Sequence, residues 1–97
     1  MKRSIHRFAA DYLADAVRFY RREAGVAVAS RFLNEFERVV RLLENYSGIG
    51  TPGGDGRQFF PLVGFPYNII YRAEVQEIRI LVARHQSRDP EYGESRR

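Results

Sequence analysis

Residues 65–84 read FPYNIIYRAEVQEIRILVAR, and the alternation of apolar and charged positions in this stretch decides the fold. Neighbouring side chains on a β-strand point to opposite faces. Tyr67, Ile69 and Tyr71 therefore share one face of a strand, and Asn68, Ile70 and Arg72 share the other. The run from Glu77 to Arg84 repeats the pattern, with Ile78, Ile80 and Val82 on one side and Arg79, Leu81 and Ala83 on the other. Between the two runs, Glu74, Val75 and Gln76 read as the turn of a hairpin. The most apolar pairing sets Tyr67, Ile69, Tyr71, Ile78, Ile80 and Val82 against a core. The opposite face then carries Asn68, Ile70, Arg72, Arg79, Leu81 and, by continuation, His85.

Upstream of the hairpin, Gln58 to Leu62 reads as another short strand. The segment before it, SGIGTPGGDG at residues 47–56, holds five glycines and a proline. A phosphate-cradling loop would need a Gly-Lys-Ser/Thr ending and a following helix, and this segment has neither. It reads as a connection.

Further towards the N-terminus the period changes from two to three and four. Ala9, Leu13, Ala16, Val17, Tyr20 and Ala24 recur at helical spacing among charged residues, predicting an amphipathic helix over 9–24. Gly25 supplies a break. A second helix is predicted over 26–45, with Ala29, Phe32, Leu33, Phe36, Val40 and Leu43 in its apolar stripe and Glu37 placed to pair with Arg41. So short a connection makes the helices antiparallel neighbours. SIHRF, with Ile5 and Phe8 as its apolar residues, fits a short first strand.

The order strand, helix, helix, strand, strand, strand predicts an α+β fold: an antiparallel helical hairpin packed on a small, mainly antiparallel sheet. At 97 residues and 44% hydrophobic composition, the chain reads as a single domain over 1–97. Residues 85–97 form a polar tail expected to lie over the surface.

Composition narrows the function classes. With no cysteine there is neither a disulfide framework nor a thiolate metal site, and a reducing, cytoplasmic home is the simplest reading. His6 and His85 are the only histidines and have no carboxylate cluster beside them in sequence, so neither metal nor cofactor is expected. No apolar run approaches the roughly 20 residues that span a bilayer. The net charge is +4, with fifteen arginines against one lysine. Residues 9–46 are balanced, so the excess sits at the N-terminus and in the C-terminal half. Arg72, Arg79, His85, Arg88 and Tyr92 gather in the last two strands and the tail, beside Ile70 and Leu81. Apolar surface rimmed by arginine has the profile of a partner site.

The order of elements, Phe19-Tyr20 closing the first helix, Arg31-Phe32-Leu33, Gly48-Ile49-Gly50, Phe65-Pro66-Tyr67, Ile70-Tyr71-Arg72, and His85 followed by Arg88-Asp89-Pro90 together resemble the RelE/ParE toxin superfamily. The resemblance covers nearly the whole chain and rests on the joint order and spacing of these residues. It implies a bacterial type II toxin, silenced by a small cognate antitoxin in a toxin–antitoxin hetero-oligomer. RelE-like members cut messenger RNA on the ribosome, and ParE-like members poison DNA gyrase.

Metal-free RNA cleavage needs a group to assist attack by the 2′-hydroxyl, a group to protonate the leaving oxygen, and fixed positive charge on the phosphate. Arg57, His85, Arg88 and Tyr92 are the residues available for that chemistry. Arg88 and Tyr92 fall near the tail arginine and tyrosine of RelE-like nucleases, although the tyrosine spacing is shorter by a residue or two. Where RelE-like nucleases carry Tyr-Arg-x-x-Tyr, this chain reads Tyr67-Asn68-Ile69-Ile70-Tyr71, and asparagine cannot supply phosphate charge. The lysines that precede this strand in RelE-like members are also missing. His85-Gln86-Ser87-Arg88-Asp89 resembles the His-x-x-Arg-Asp ending of ParE-like chains. The resemblance thus leans to the ParE-like branch, with a RelE-like nuclease or a decayed toxin that only binds its antitoxin as the alternatives.

Overall fold

The computed structural model describes residues 2–85, and the side chains of residues 3–81. The expected tail, with Arg88 and Tyr92, lies outside the described residues. Two helices, α1 (Arg7–Ala24) and α2 (Val26–Asn45), follow a short strand β1 (Lys2–Ile5). A turn of 3-10 helix (Ser47–Ile49) then leads to β2 (Thr51–Gly54), β3 (Arg57–Pro61), β4 (Tyr67–Glu74) and β5 (Glu77–His85). The five strands form one sheet in the order β1-β5-β4-β3-β2. Its pairs are antiparallel except β1 with β5, which is parallel. The α+β architecture expected from the sequence is therefore present, with one strand more and a mixed sheet.

Local chemistry accounts for the helix ends. The first strand stops at Ile5 because His6 takes an extended backbone and its Nδ1 accepts a hydrogen bond from the Phe8 N–H at 3.1 Å, an N-cap. Phe8 thus belongs to α1 and not to a strand, a correction to the SIHRF reading, and it is 60% exposed. Gly25, at φ 95°, closes α1 and opens α2, a backbone angle that L side chains rarely adopt. Arg21 and Arg22 sit in the last turn of α1, where the helix dipole favours positive charge.

The helices cover one face of the sheet. Phe32, Phe36, Val39, Val40 and Leu43 from α2 and Ala9 and Ala16 from α1 pack with Ile69, Tyr71, Ile78 and Ile80. The buried stripe of α2 differs from the expected one by two residues: Val39 is fully buried, and Leu33 is 42% exposed. On α1, Ala24 is also exposed. Rings of Tyr20, Phe32, Phe65 and Tyr67 meet in tilted and edge-to-face contacts with centroids 5.1–6.3 Å apart, fastening the helical hairpin to the start of β4.

Charged groups add two anchors. Arg3 of β1 donates from Nε and Nη2 to Glu44 at 3.1 and 2.9 Å, and from Nη1 to Glu37 at 2.7 Å, tying the parallel edge strand to α2. Those bonds from Arg3 hold the Glu37 carboxyl below its ordinary value. Glu35 accepts from Arg38 Nε and Nη2 at 2.7 Å each and also from the Val63 N–H at 2.7 Å, pinning the β3–β4 loop to α2. Arg38 foremost lowers the Glu35 carboxyl.

Residues 47–56, expected to be a connection, contain the edge strand β2. Glycine and proline are depleted in strands, so nothing in TPGG announces one. What makes it a strand is the turn: Asp55 and Gly56 take φ of 56° and 75°, folding Thr51–Gly54 back onto β3. An edge position tolerates Pro52, whose missing N–H breaks no interior ladder.

Candidate functional site

The outer face of the sheet, turned away from the helices, is built by alternation along β3, β4 and the first half of β5. Ile69 and Tyr71 are fully buried in the core, so their neighbours Asn68, Ile70 and Arg72 face outward and are half-buried. On β3, Gln58 and Phe60 pair with Tyr71 and Ile69, which leaves Arg57, Phe59 and Pro61 on the outside. On β5, Ile78 and Ile80 are buried and Arg79 faces out.

Cross-strand pairing then sets these residues in rows. Arg57 pairs with Arg72, Arg72 with Arg79, and Arg79 with Ser4 of β1. Three arginines on three adjacent strands thus form one row. The next row towards the β3–β4 loop joins Thr51, Phe59 and Ile70, and beyond it Pro61 pairs with Asn68. On the other side, Glu74 pairs with Glu77, whose Oε2 accepts a 2.5 Å hydrogen bond from Ser4 Oγ.

The far end of β5 departs from the expected alternation. Pairing shifts by one residue between Ile70 and Tyr71, so Leu81 is an extra residue with no partner directly across. Beyond this bulge Val82 pairs with Ile70 and His85 with Tyr67. Counting by twos from Ile80 and Arg79 assumes an unbroken pairing, and the one-residue shift interrupts it before Val82 and His85, whose side chains lie outside the described ones. Register also separates two of the proposed nuclease residues. Arg57 is aligned with Arg72 and His85 with Tyr67, five residues earlier on β4. At about 3.4 Å per residue, this places their backbones roughly 17 Å apart along the strand.

Behind the outer face, Tyr71 is a fixed strut. Its hydroxyl donates to Ser47 O at 2.8 Å and accepts from the Gly50 N–H at 3.0 Å. Burial raises its hydroxyl pKa, with the Gly50 N–H pulling the other way. A Cβ on Gly50 would overlap the Tyr71 ring and hydroxyl, which gives the Gly48-Ile49-Gly50 stretch a packing reason.

Two surface features escaped the sequence reading. Phe59 lies in the outer apolar row beside Arg57, which the alternation within RQFFP would have revealed. The other is on α1, where Phe8, Tyr12 and Phe19 are 60%, 46% and 47% exposed. Their spacings of four and seven residues put them on one helical stripe. A shallow groove of about 320 Å³ also opens between α2 and the β3–β4 loop, lined by Arg31, Asn34, Glu35, Arg38, Val63 and Phe65.

A helical hairpin on a five-stranded mixed sheet, with arginines across the sheet's free face, is a small α+β domain of the architecture that the resemblance implies. Over residues 4–90 the sequence matches the family described as ParE toxin of type II toxin-antitoxin system, parDE, and the chain belongs to that family. A solved structure described as "Chromosomal ParDE TA system from P. aeruginosa" shares the fold. It superposes with a TM-score of 0.78 at 24% identity, covering 88% of this chain and 95% of that one. No curated protein matches the chain significantly. The protein is thus the toxin member of a type II toxin–antitoxin system, for which a cognate antitoxin is the partner. No helix among the described residues is long and apolar enough to cross a membrane.

Proposed function

We propose that this toxin acts in the cytoplasm by inhibiting DNA gyrase, which it meets with the outer sheet face that carries Asn68, Ile70, Arg72, Arg79 and Leu81. The observation that carries this reading is Asn68. It stands second in β4, on the outward side, where RelE-like nucleases hold an arginine, and an amide has no charge to place on a phosphate. Family membership points the same way. The wide separation of Arg57 from His85 along the sheet further argues against both acting on one scissile phosphate.

Antitoxin binding falls to the opposite side of the molecule. An amphipathic helix laid over Phe8, Tyr12 and Phe19 would cover the exposed aromatic stripe of α1, as helix-in-groove recognition requires.

Induced expression with simultaneous readout of plasmid supercoiling and transcript integrity tests the activity. Growth arrest with lost supercoiling and intact transcripts is expected. Normal supercoiling with rapid loss of mRNA would refute the gyrase reading and return Arg57, His85, Arg88 and Tyr92 to candidacy as nuclease residues. Co-purification with the product of the neighbouring small gene, abolished by Tyr12→Asp, tests the antitoxin site.

A further inference from the structure

The arginine row has no structural account within the fold. Like charges directly opposite one another on adjacent strands destabilise a sheet, yet Arg57, Arg72 and Arg79 stand in consecutive register. Carboxylates are close at hand and do not resolve the conflict. Asp55 reaches Arg57 only at 3.5 Å across exposed surface, and Glu77 accepts from Ser4. Among the described residues, neither Arg72 nor Arg79 has an ion-pair partner. On the helix side Arg3, Arg18, Arg22, Arg38 and Arg41 each meet a carboxylate, and among the described residues Arg7, Arg21 and Arg31 do not, but none of these eight arginines stands opposite another across paired strands.

With strands about 4.8 Å apart, the three Cα atoms span roughly 10 Å of a flat face. Arginine's planar fork suits phosphate oxygens, and a duplex carries one negative charge per roughly 1.7 Å of its axis, more than enough to neutralise such a row. A single-stranded ligand would call for a platform of stacked aromatics. The neighbouring row offers one ring, Phe59, half-buried against Gly53, and the aliphatic Ile70. That leaves backbone charge as the feature recognised.

We propose that Arg57, Arg72 and Arg79 seat the phosphodiester backbone of duplex DNA, so that this toxin contacts DNA directly while acting on its target. The proposal builds on the gyrase reading but is separable from it, because duplex binding needs no gyrase.

The test uses the full chain and a labelled 20-base-pair duplex, with anisotropy read across a salt series. Two triple variants carry the same loss of charge: Arg57→Gln/Arg72→Gln/Arg79→Gln on the sheet, and Arg7→Gln/Arg21→Gln/Arg31→Gln on the helices. Removing three phosphate contacts should flatten the slope of log K against log salt by about 2.7. The unaltered toxin then loses roughly 40-fold more affinity between about 50 and 200 mM salt than the sheet variant does. The helix variant should keep the original slope. Equal flattening in both variants would reduce the effect to net charge and overturn the assignment. Tighter binding to single-stranded DNA or RNA of equal length would overturn it too, as would no binding at low salt. Folding should survive, because relieving like-charge crowding does not weaken a sheet, and a melting curve checks this. Lost supercoiling without row-dependent duplex binding sinks this proposal alone. Row-dependent duplex binding with normal supercoiling sinks the gyrase reading alone.

Discussion

Ile69 and Ile70 are the same residue type, adjacent in β4, and their surroundings are opposite. Ile69 is sealed among α2 side chains, whereas Ile70 is half-buried between Phe59 and the bulge of β5. The next pair repeats the contrast: the Tyr71 hydroxyl is held by two backbone groups of the 3-10 turn and its continuation, and Arg72 stands between two other arginines. One strand thus serves stability on one face and presents charge on the other. The inner face is held by packing against the helices, while the outer face carries features that folding does not require.

Substitutions on the two faces should separate these roles. Ile69→Ala should destabilise the fold by about 2–5 kcal/mol, the range for emptying a packed core position, and Ile70→Ala by less than half as much. Urea unfolding measures both, and equal losses would break the contrast. Next in size, Tyr71→Phe leaves the Gly50 N–H and the Ser47 carbonyl without their partner, for about 1–3 kcal/mol. Gly50→Ala, which forces Tyr71 to move, should fall in a similar range of about 1–3 kcal/mol.

Acid should act on the helix side first. The Glu35 and Glu37 carboxyls are depressed in the folded state by Arg38 and Arg3. Their contribution is present above the ordinary glutamate value of about 4.3 and is lost as pH falls through the lower folded-state values. Unfolding followed from pH 6 downward should therefore show a loss of stability below about pH 4.3, smaller in Glu35→Gln. An identical acid limb in that variant would remove Glu35 from the account. The smallest effect belongs to Arg72→Gln, with thermal stability unchanged or raised by a few tenths of a kcal/mol, since it relieves like-charge pairing. A large loss would mean that the arginine row is structural after all.

Much of this was legible in the chain because two periodicities are strong in it. The spacing of three and four across Leu13, Val17 and Tyr20, and across Phe32, Phe36, Val40 and Leu43, marks both helices, and α2 was expected over the residues it occupies. Alternation from Tyr67 to Ile80 identified the core face of β4 and β5. Apart from the helix stripes, where Val39 takes the buried place expected of Leu33, the misreadings lie where backbone geometry, not side-chain pattern, sets the structure. β2 is a strand only because the Asp55-Gly56 turn brings it beside β3. Val82 and His85 change register because β5 holds one residue more than β4 can match. Phe8 looked like a strand residue until the His6 cap started the helix beneath it.

Local sequence therefore determined both helices and the strands β3 to β5 with the core face of β4, since burying apolar area and satisfying helical or strand spacing are written residue by residue. Tertiary structure alone decided that Arg57, Arg72 and Arg79 stand in one row. They are fifteen and seven positions apart along the chain, and only the register of three paired strands makes them neighbours. Register depends on turns, bulges and the fit of a whole sheet against its helices, a sum over distant contacts that no single stretch of the chain contains.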